Sequence, residues 1–162
     1  MLKNQLSSKL HNFLLIAILL LLTGPSCKKE RINIIPPTYV DFTIRLTDPL
    51  FIDLNAVGNS VIVTKDYNGL GSAGYKDHGI IVYRAGQAEF YAYDRTCTWE
   101  DSLNVAVEMD LPTDLSAQCP VCGSEYILPS SGYPTKDGPA VYPLQYYKTS
   151  YDEETQTVWV YN

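Results

Sequence analysis

The chain has 162 residues, four Cys, two His, and 12 Lys+Arg against 18 Asp+Glu, for a formal charge of −6. That length supports one domain rather than two, and 46% hydrophobic residues with 19% charged and 13 Tyr exclude a disordered chain. An acidic chain without a basic run lacks the electrostatic footprint for a phosphate backbone, which excludes nucleic acid as a partner.

In chain order, Lys3 and Lys9 precede the apolar stretch Phe13 to Leu22, which ends in Thr23, Gly24, Pro25, Ser26 and Cys27. The pattern predicts a secretory signal over residues 1–26. The apolar run falls short of the about 20 residues a helix needs to span a bilayer, so a retained transmembrane helix is the weaker reading. A Cys placed after a small residue at the end of such a run resembles the lipobox of bacterial lipoproteins, with Gly24 where that pattern favours Leu. The resemblance implies lipidation of Cys27, export, and anchoring to the bacterial membrane, at the periplasmic or surface face of the outer membrane; the alternative is a plain signal peptide with Cys27 as a free thiol. Residues 27–39, with Lys28-Lys29-Glu30-Arg31 and then Ile34-Ile35-Pro36-Pro37, read as a tether ending in a stiff extended segment. The domain proper is placed at 40–162.

From Val40 to Leu46 apolar and polar residues alternate, which puts Val40, Phe42, Ile44 and Leu46 on one face of a half-buried strand. Five further short strands are predicted: Ser60 to Thr64, Gly79 to Arg84, Glu89 to Tyr93, Val105 to Leu111, and Thr157 to Tyr161. The separators are turn-formers such as Asn68-Gly69, Gly71 to Gly74, Ala85-Gly86-Gln87, Pro112 to Asp114 and Pro129 to Gly138. With no amphipathic helix after residue 40, the expected fold is an all-β antiparallel sandwich or small barrel. The many Tyr fit strand positions with a wet hydroxyl end better than a carbohydrate platform. No Ser–His–Asp set can be assembled and no carboxylate pair suggests glycosidase chemistry, so the reading leans away from an enzyme.

Beyond Cys27, the thiols are Cys97, in Asp94-Arg95-Thr96-Cys97-Thr98-Trp99, and Cys119 and Cys122, in Cys119-Pro120-Val121-Cys122-Gly123-Ser124 with Tyr126 following. These phrases, with Gly132, Gly138-Pro139-Ala140, Pro143-Leu144 and the closing stretch Tyr146 to Tyr161, resemble the Rieske iron–sulfur domain. Narrower still, they resemble the Rieske-like lipoproteins of Gram-negative bacteria. The resemblance implies a small antiparallel β-fold with two ligand loops, a closing hairpin over Tyr146 to Tyr161, and a 2Fe–2S cluster. It also implies that Ser124 and Tyr126 stand where the family hydrogen-bonds cluster sulfurs.

Both positions at which the family has histidine are changed: Trp99 stands at the first and Cys122 at the second. A Rieske centre needs two imidazoles on one iron, and indole nitrogen is a donor only. His11 lies in the leader and His78 lies before the first loop, so neither fills the gap by position. Three thiols in that arrangement leave three outcomes open: a metal-free domain with a disulfide or reduced thiols, a three-Cys metal site such as zinc with water, Glu100 or Asp101 as fourth ligand, or an altered iron–sulfur species. Trp99 is expected to fill space vacated by the lost half of the cluster. The functional expectation is a non-enzymatic binding or structural module whose loops are locked by Cys97, Cys119 and Cys122, with an electron carrier of altered ligation as the alternative.

Overall fold

A computed structural model describes residues 34–110 and 115–162, with the Asp101 side chain outside that description. The predicted signal, Cys27 and the first part of the tether lie outside the described residues. So do Leu111, the last residue of the strand predicted over Val105 to Leu111, and the Pro112 to Asp114 separator. Among the described residues no helix is long and apolar enough to cross a membrane.

The architecture is all-β and antiparallel. One sheet of six strands runs in the order β1-β10-β9-β4-β3-β2: β1 is Asp41–Arg45, β2 Ser60–Val63, β3 Ile80–Arg84, β4 Phe90–Asp94, β9 Tyr146–Asp152 and β10 Thr157–Tyr161. A second sheet of four very short strands runs β5-β6-β7-β8: Glu108–Met109, Ser116–Gln118, Glu125–Ile127 and Tyr133–Pro134. Alternation sets the register of β1 as expected. Phe42 and Ile44 point inward while Asp41, Thr43 and Arg45 face solvent, and the strand pairs from Asp41↔Tyr161 to Arg45↔Thr157 with β10.

β3 does not alternate, because every one of its residues is buried. Ile80 and Val82 enter a first apolar cluster with Phe42, Ile44, Leu54, Phe90, Val158 and Val160. Ile81 and Tyr83, on the opposite side of the same strand, enter a second cluster with Tyr93, Cys97, Ala117, Cys119, Tyr126, Leu128 and Leu144. A strand with both faces covered reads as a continuous apolar run, and Ile80-Ile81-Val82-Tyr83 is such a run. The small sheet and its loops therefore pack on the outer side of β3–β4.

The structure corrects one strand of the sequence reading. Val105 to Leu111 is not one strand. Its first half makes a single bridge, Ala106↔Thr96, with Cys97 N–H donating to Val105 O and Val107 N–H to Arg95 O, and only Glu108–Met109 join β6. The separator around Asn68-Gly69 is a short helix at Lys65–Asn68 running into a 3-10 turn at Gly69–Ser72. Tyr67 Oη donates to Thr43 O at 2.7 Å and Asn68 Nδ2 to Asp41 O at 2.9 Å. Those contacts satisfy the outward carbonyls of β1, the edge strand of the large sheet, which guards it against pairing with another chain.

Within the predicted tether, Ile35 is buried, and Asn162 clasps the strand entry, its Oδ1 accepting from Val40 N–H at 3.2 Å.

Candidate functional site

The first loop leaves β4 at Asp94, whose carboxylate is fully buried. A buried carboxylate is tolerated only when hydrogen-bonded. Here Oδ2 accepts from Tyr147 Oη at 2.8 Å and Tyr75 N–H at 2.7 Å, and Oδ1 accepts from Thr96 N–H at 2.8 Å. The next residue, Arg95, reaches Val107 O through Nε and Nη2 and His78 O through Nη1. These bonds fix the direction in which Thr96 and Cys97 emerge, and Cys97 turns fully inward.

The second loop is a tight knuckle after β6. Cys119 N–H donates to Ser124 O and Gly123 N–H to Cys119 O, both at 2.9 Å, and Gly123 adopts φ +75°, a conformation that a residue with a Cβ enters only at a cost. From the far side the chain at Gly138 presses against the knuckle so closely that a Cβ there would sit 2.4 Å from Ser124 Cα. Glycine is required at that approach.

These two loops bring three sulfurs together. The Sγ atoms of Cys97, Cys119 and Cys122 all lie within 4.8 Å of one another, and Cys97 and Cys122 are 3.6 Å apart. No disulfide joins them. Cys97 and Cys119 are buried, whereas Cys122 is half-buried at the rim. Two thiolates bound tetrahedrally to one ion at ~2.3 Å are separated by about 3.8 Å, so the observed spacing suits a single thiolate-bound metal ion.

Ser124 and Tyr126 both meet these sulfurs. The Cys122 thiol donates to Ser124 Oγ at 3.2 Å, an oxygen that also accepts from Ala140 N–H at 3.0 Å; once Cys122 is ionised, the hydroxyl proton can turn to the sulfur. Cys97 Sγ lies 3.3 Å from Tyr126 Oη. That oxygen accepts from Thr98 N–H at 3.0 Å and sits 3.1 Å from Thr98 Oγ1, and Thr98 Oγ1 in turn donates to Tyr142 O at 2.6 Å. Since the threonine proton is committed to Tyr142, the tyrosine proton can serve Thr98 when Cys97 is a thiol and Cys97 when it is a thiolate.

Burial pushes the Cys97 thiol up to about 12, against the pull of its bond from Tyr126. For Cys122 burial also opposes ionisation, but the Ser124 hydroxyl and amide outweigh it and the pKa falls below the ordinary thiol value. Tyr126 is raised, chiefly by burial and next by its contact with Cys97. The pair thus sets a rim thiol whose ionisation is favoured beside one that burial holds toward its neutral form.

The remaining candidates fall into place around this core. Trp99 is half-buried against the cluster that holds the sulfurs and starts the 3-10 turn Glu100–Ser102. Its other side walls a cleft of about 190 Å³ with Pro139, Val141 and Tyr142. Glu100 is exposed on that cleft and does not join the sulfurs, which corrects its reading as a fourth ligand; the Asp101 side chain lies outside the description. His78 is held elsewhere, with Nδ1 2.8 Å from Thr96 Oγ1. Among the described residues the converging ligand set is the three cysteines alone. Thr98 was not singled out from sequence; its only signal was a position between Cys97 and Trp99.

The donor set decides against an ordinary Rieske centre. A mixed-ligand 2Fe–2S cluster needs two imidazoles and an all-thiolate one needs four cysteines, and the site offers three sulfurs and no histidine.

No family model and no curated protein matches the sequence. Among solved structures, a chain from the complex of reduced oxygenase and oxidised ferredoxin in carbazole 1,9a-dioxygenase is 25% identical, covering 65% of this chain and 82% of that one with a TM-score of 0.42. The ferredoxin of carbazole 1,9a-dioxygenase from Nocardioides aromaticivorans IC177 is 20% identical, covering 64% of this chain and 97% of that one with a TM-score of 0.36.

Proposed function

We infer that the chain is a non-enzymatic β module, exported and tethered to the membrane through a lipid on Cys27, whose two loops are locked together by one metal ion held on Cys97, Cys119 and Cys122. The observation that carries the reading is the convergence of three sulfurs from two loops within 4.8 Å, with none of the imidazoles a Rieske cluster requires. Thiolate sulfur selects soft or borderline ions, and zinc takes such ligands readily; the three cysteines would hold it, leaving one position for a water. The ion would supply the positive charge that keeps Cys97 ionised, while Tyr126, Ser124 and the amides of Thr98 and Ala140 orient the sulfurs from behind.

The full chain, purified in detergent under reducing and anaerobic conditions, tests this by titration with Co2+ as a spectroscopic stand-in and with Zn2+. The expected result is one ion per chain, intense sulfur-to-cobalt charge-transfer absorption, and loss of tight binding in Cys119→Ser. Two irons per chain and a brown colour would instead make the protein an electron carrier with altered ligation and overturn the reading.

A further inference from the structure

The three sulfurs are unequal in a way that metal binding alone does not use. Cys97 and Cys119 expose 0% and 1% of their surface, but Cys122 is at the rim, beside Val121 with 66% exposed. Cys97 and Cys122, one from each loop, have their sulfurs 3.6 Å apart, with Cys119 behind them as the inward member of the trio. A disulfide requires ~2.05 Å between sulfurs, a change of the size that side-chain rotation at the looser Cys122 can provide. Within the knuckle, Cys119 faces inward and its backbone is tied at both N–H and C=O to Ser124 and Gly123.

We propose a further activity for this site: Cys122 and Cys97 form a dithiol that reduces external disulfides, closing a Cys97–Cys122 bridge and discharging the bound ion. The thiolate of Cys122, the sulfur an outside molecule can reach, attacks one sulfur of the external disulfide; the S–S bond breaks and one thiolate leaves, giving a mixed disulfide on Cys122. The Cys97 thiolate then attacks Cys122 Sγ from 3.6 Å, forming the internal bridge and expelling the second external thiolate. Two electrons pass from the cysteine pair to the external disulfide, which becomes two thiolates. Cys119 alone cannot retain a dication, so the ion leaves and Cys119 takes up a proton. The substrate class is small or unfolded-chain disulfides able to reach a half-buried rim thiol. The release of metal rests on the reading of the site given above; without an ion the exchange proceeds with the Cys97 proton passing to the first departing thiolate before Cys97 attacks.

The test uses the zinc-loaded full chain in detergent, without oxygen, with oxidised glutathione as the probe, a chromogenic chelator to follow zinc, and peptide mass mapping to place the bridge. Expected are one zinc released per chain with two thiols lost, and a bridge joining Cys97 to Cys122. Cys122→Ser should abolish the reaction, and Cys97→Ala should stop at the glutathione adduct of Cys122. A bridge that includes Cys119, or loss of both thiols with zinc retained, overturns the proposal. So does a Cys122→Ser variant that still reacts through the buried pair. If zinc never binds, the metal reading fails by itself, and the same mapping on metal-free protein still decides the exchange: a Cys97–Cys122 bridge supports it, and any other product overturns it.

Discussion

The two faces of strand β3 carry two different kinds of interior. On one side Ile80 and Val82 meet Phe42, Ile44, Leu54 and Val160, an apolar core. On the other, Ile81 and Tyr83 meet a cluster in which Cys97, Cys119, Tyr93 and Tyr126 join the aliphatics and in which two hydroxyls meet the sulfurs and are themselves held by backbone amides. The first side needs only volume and register, because dispersion and burial are indifferent to which apolar atoms fill the space. The second needs direction, since each buried polar atom must find its partner or lose one to several kcal/mol. The same strand thus serves as the wall of a scaffold and the floor of a site.

Adjacent substitutions in β3 give the largest test of this contrast. Ile80 and Ile81 are both fully buried, so truncating either to Ala is expected to cost about 2–5 kcal/mol in urea unfolding. The two should part company in metal binding. Ile80→Ala leaves cobalt affinity unchanged while the protein is folded, and Ile81→Ala weakens it because its cavity opens beneath Tyr126 and the sulfurs. Equal effects on affinity would mean the two interiors are energetically one.

Tyr126→Phe probes direction without changing volume. Removing the hydroxyl leaves the buried Thr98 N–H without its acceptor and Cys97 without its donor. The expected loss is about 1–3 kcal/mol in unfolding, with a shift of the cobalt charge-transfer band. A stability loss with an unmoved band would reduce Tyr126 to a packing residue.

These residues were unequally visible in the sequence. β1 announces itself by faultless alternation, and β3 by a run of four β-branched and aromatic residues between turn-formers, which marks a strand but leaves its covering on both sides to the structure. β6, β7 and β8 are three, three and two residues long, too short for any period to show. The hairpin of β9 and β10 was expected from the resemblance to a Rieske domain; the polar half of Tyr146–Asp152 conceals β9 from a reading of periodicity. At the site, the spacing of Cys97, Cys119 and Cys122 says which residues are chemically able to bind metal. That they converge depends on the packing of the small sheet on β3–β4, which no local pattern encodes. The misplacement of Glu100 has the same origin: it is three residues from Cys97 in the chain, but the turn it starts carries it to the exposed cleft beside Trp99.

Alkaline titration separates the interiors by a different route. In the reduced, metal-free protein the Cys97 pKa is raised from 9.0 to about 12 by burial, so above pH 9 the unfolded chain gives up a proton that the fold retains. Its contribution to stability is intact below pH 9 and is lost as pH rises toward 12. Tyr126 and Tyr147, also raised from 10.0, chiefly by burial, add to the loss above pH 10. The midpoint of thermal unfolding should therefore begin to fall from about pH 9, and Cys97→Ala should delay that onset to the tyrosine range. An onset unaffected by the substitution would place the alkaline sensitivity elsewhere in the chain.

The smallest effect is expected at Val121, which stands between the two cysteines of the knuckle with its side chain in solvent. The knuckle is shaped by its backbone, through the bonds from Cys119 N–H and Gly123 N–H and the left-handed turn at Gly123. Val121→Ser removes apolar surface that is not buried and touches none of those bonds, so stability should stay within about 0.5 kcal/mol of the parent and cobalt affinity should not change. A substantial loss of affinity would show that the exposed tip, and not the backbone behind it, sets where Cys122 points, and the division between a tolerant scaffold and a directed site would then have to be redrawn through the knuckle itself.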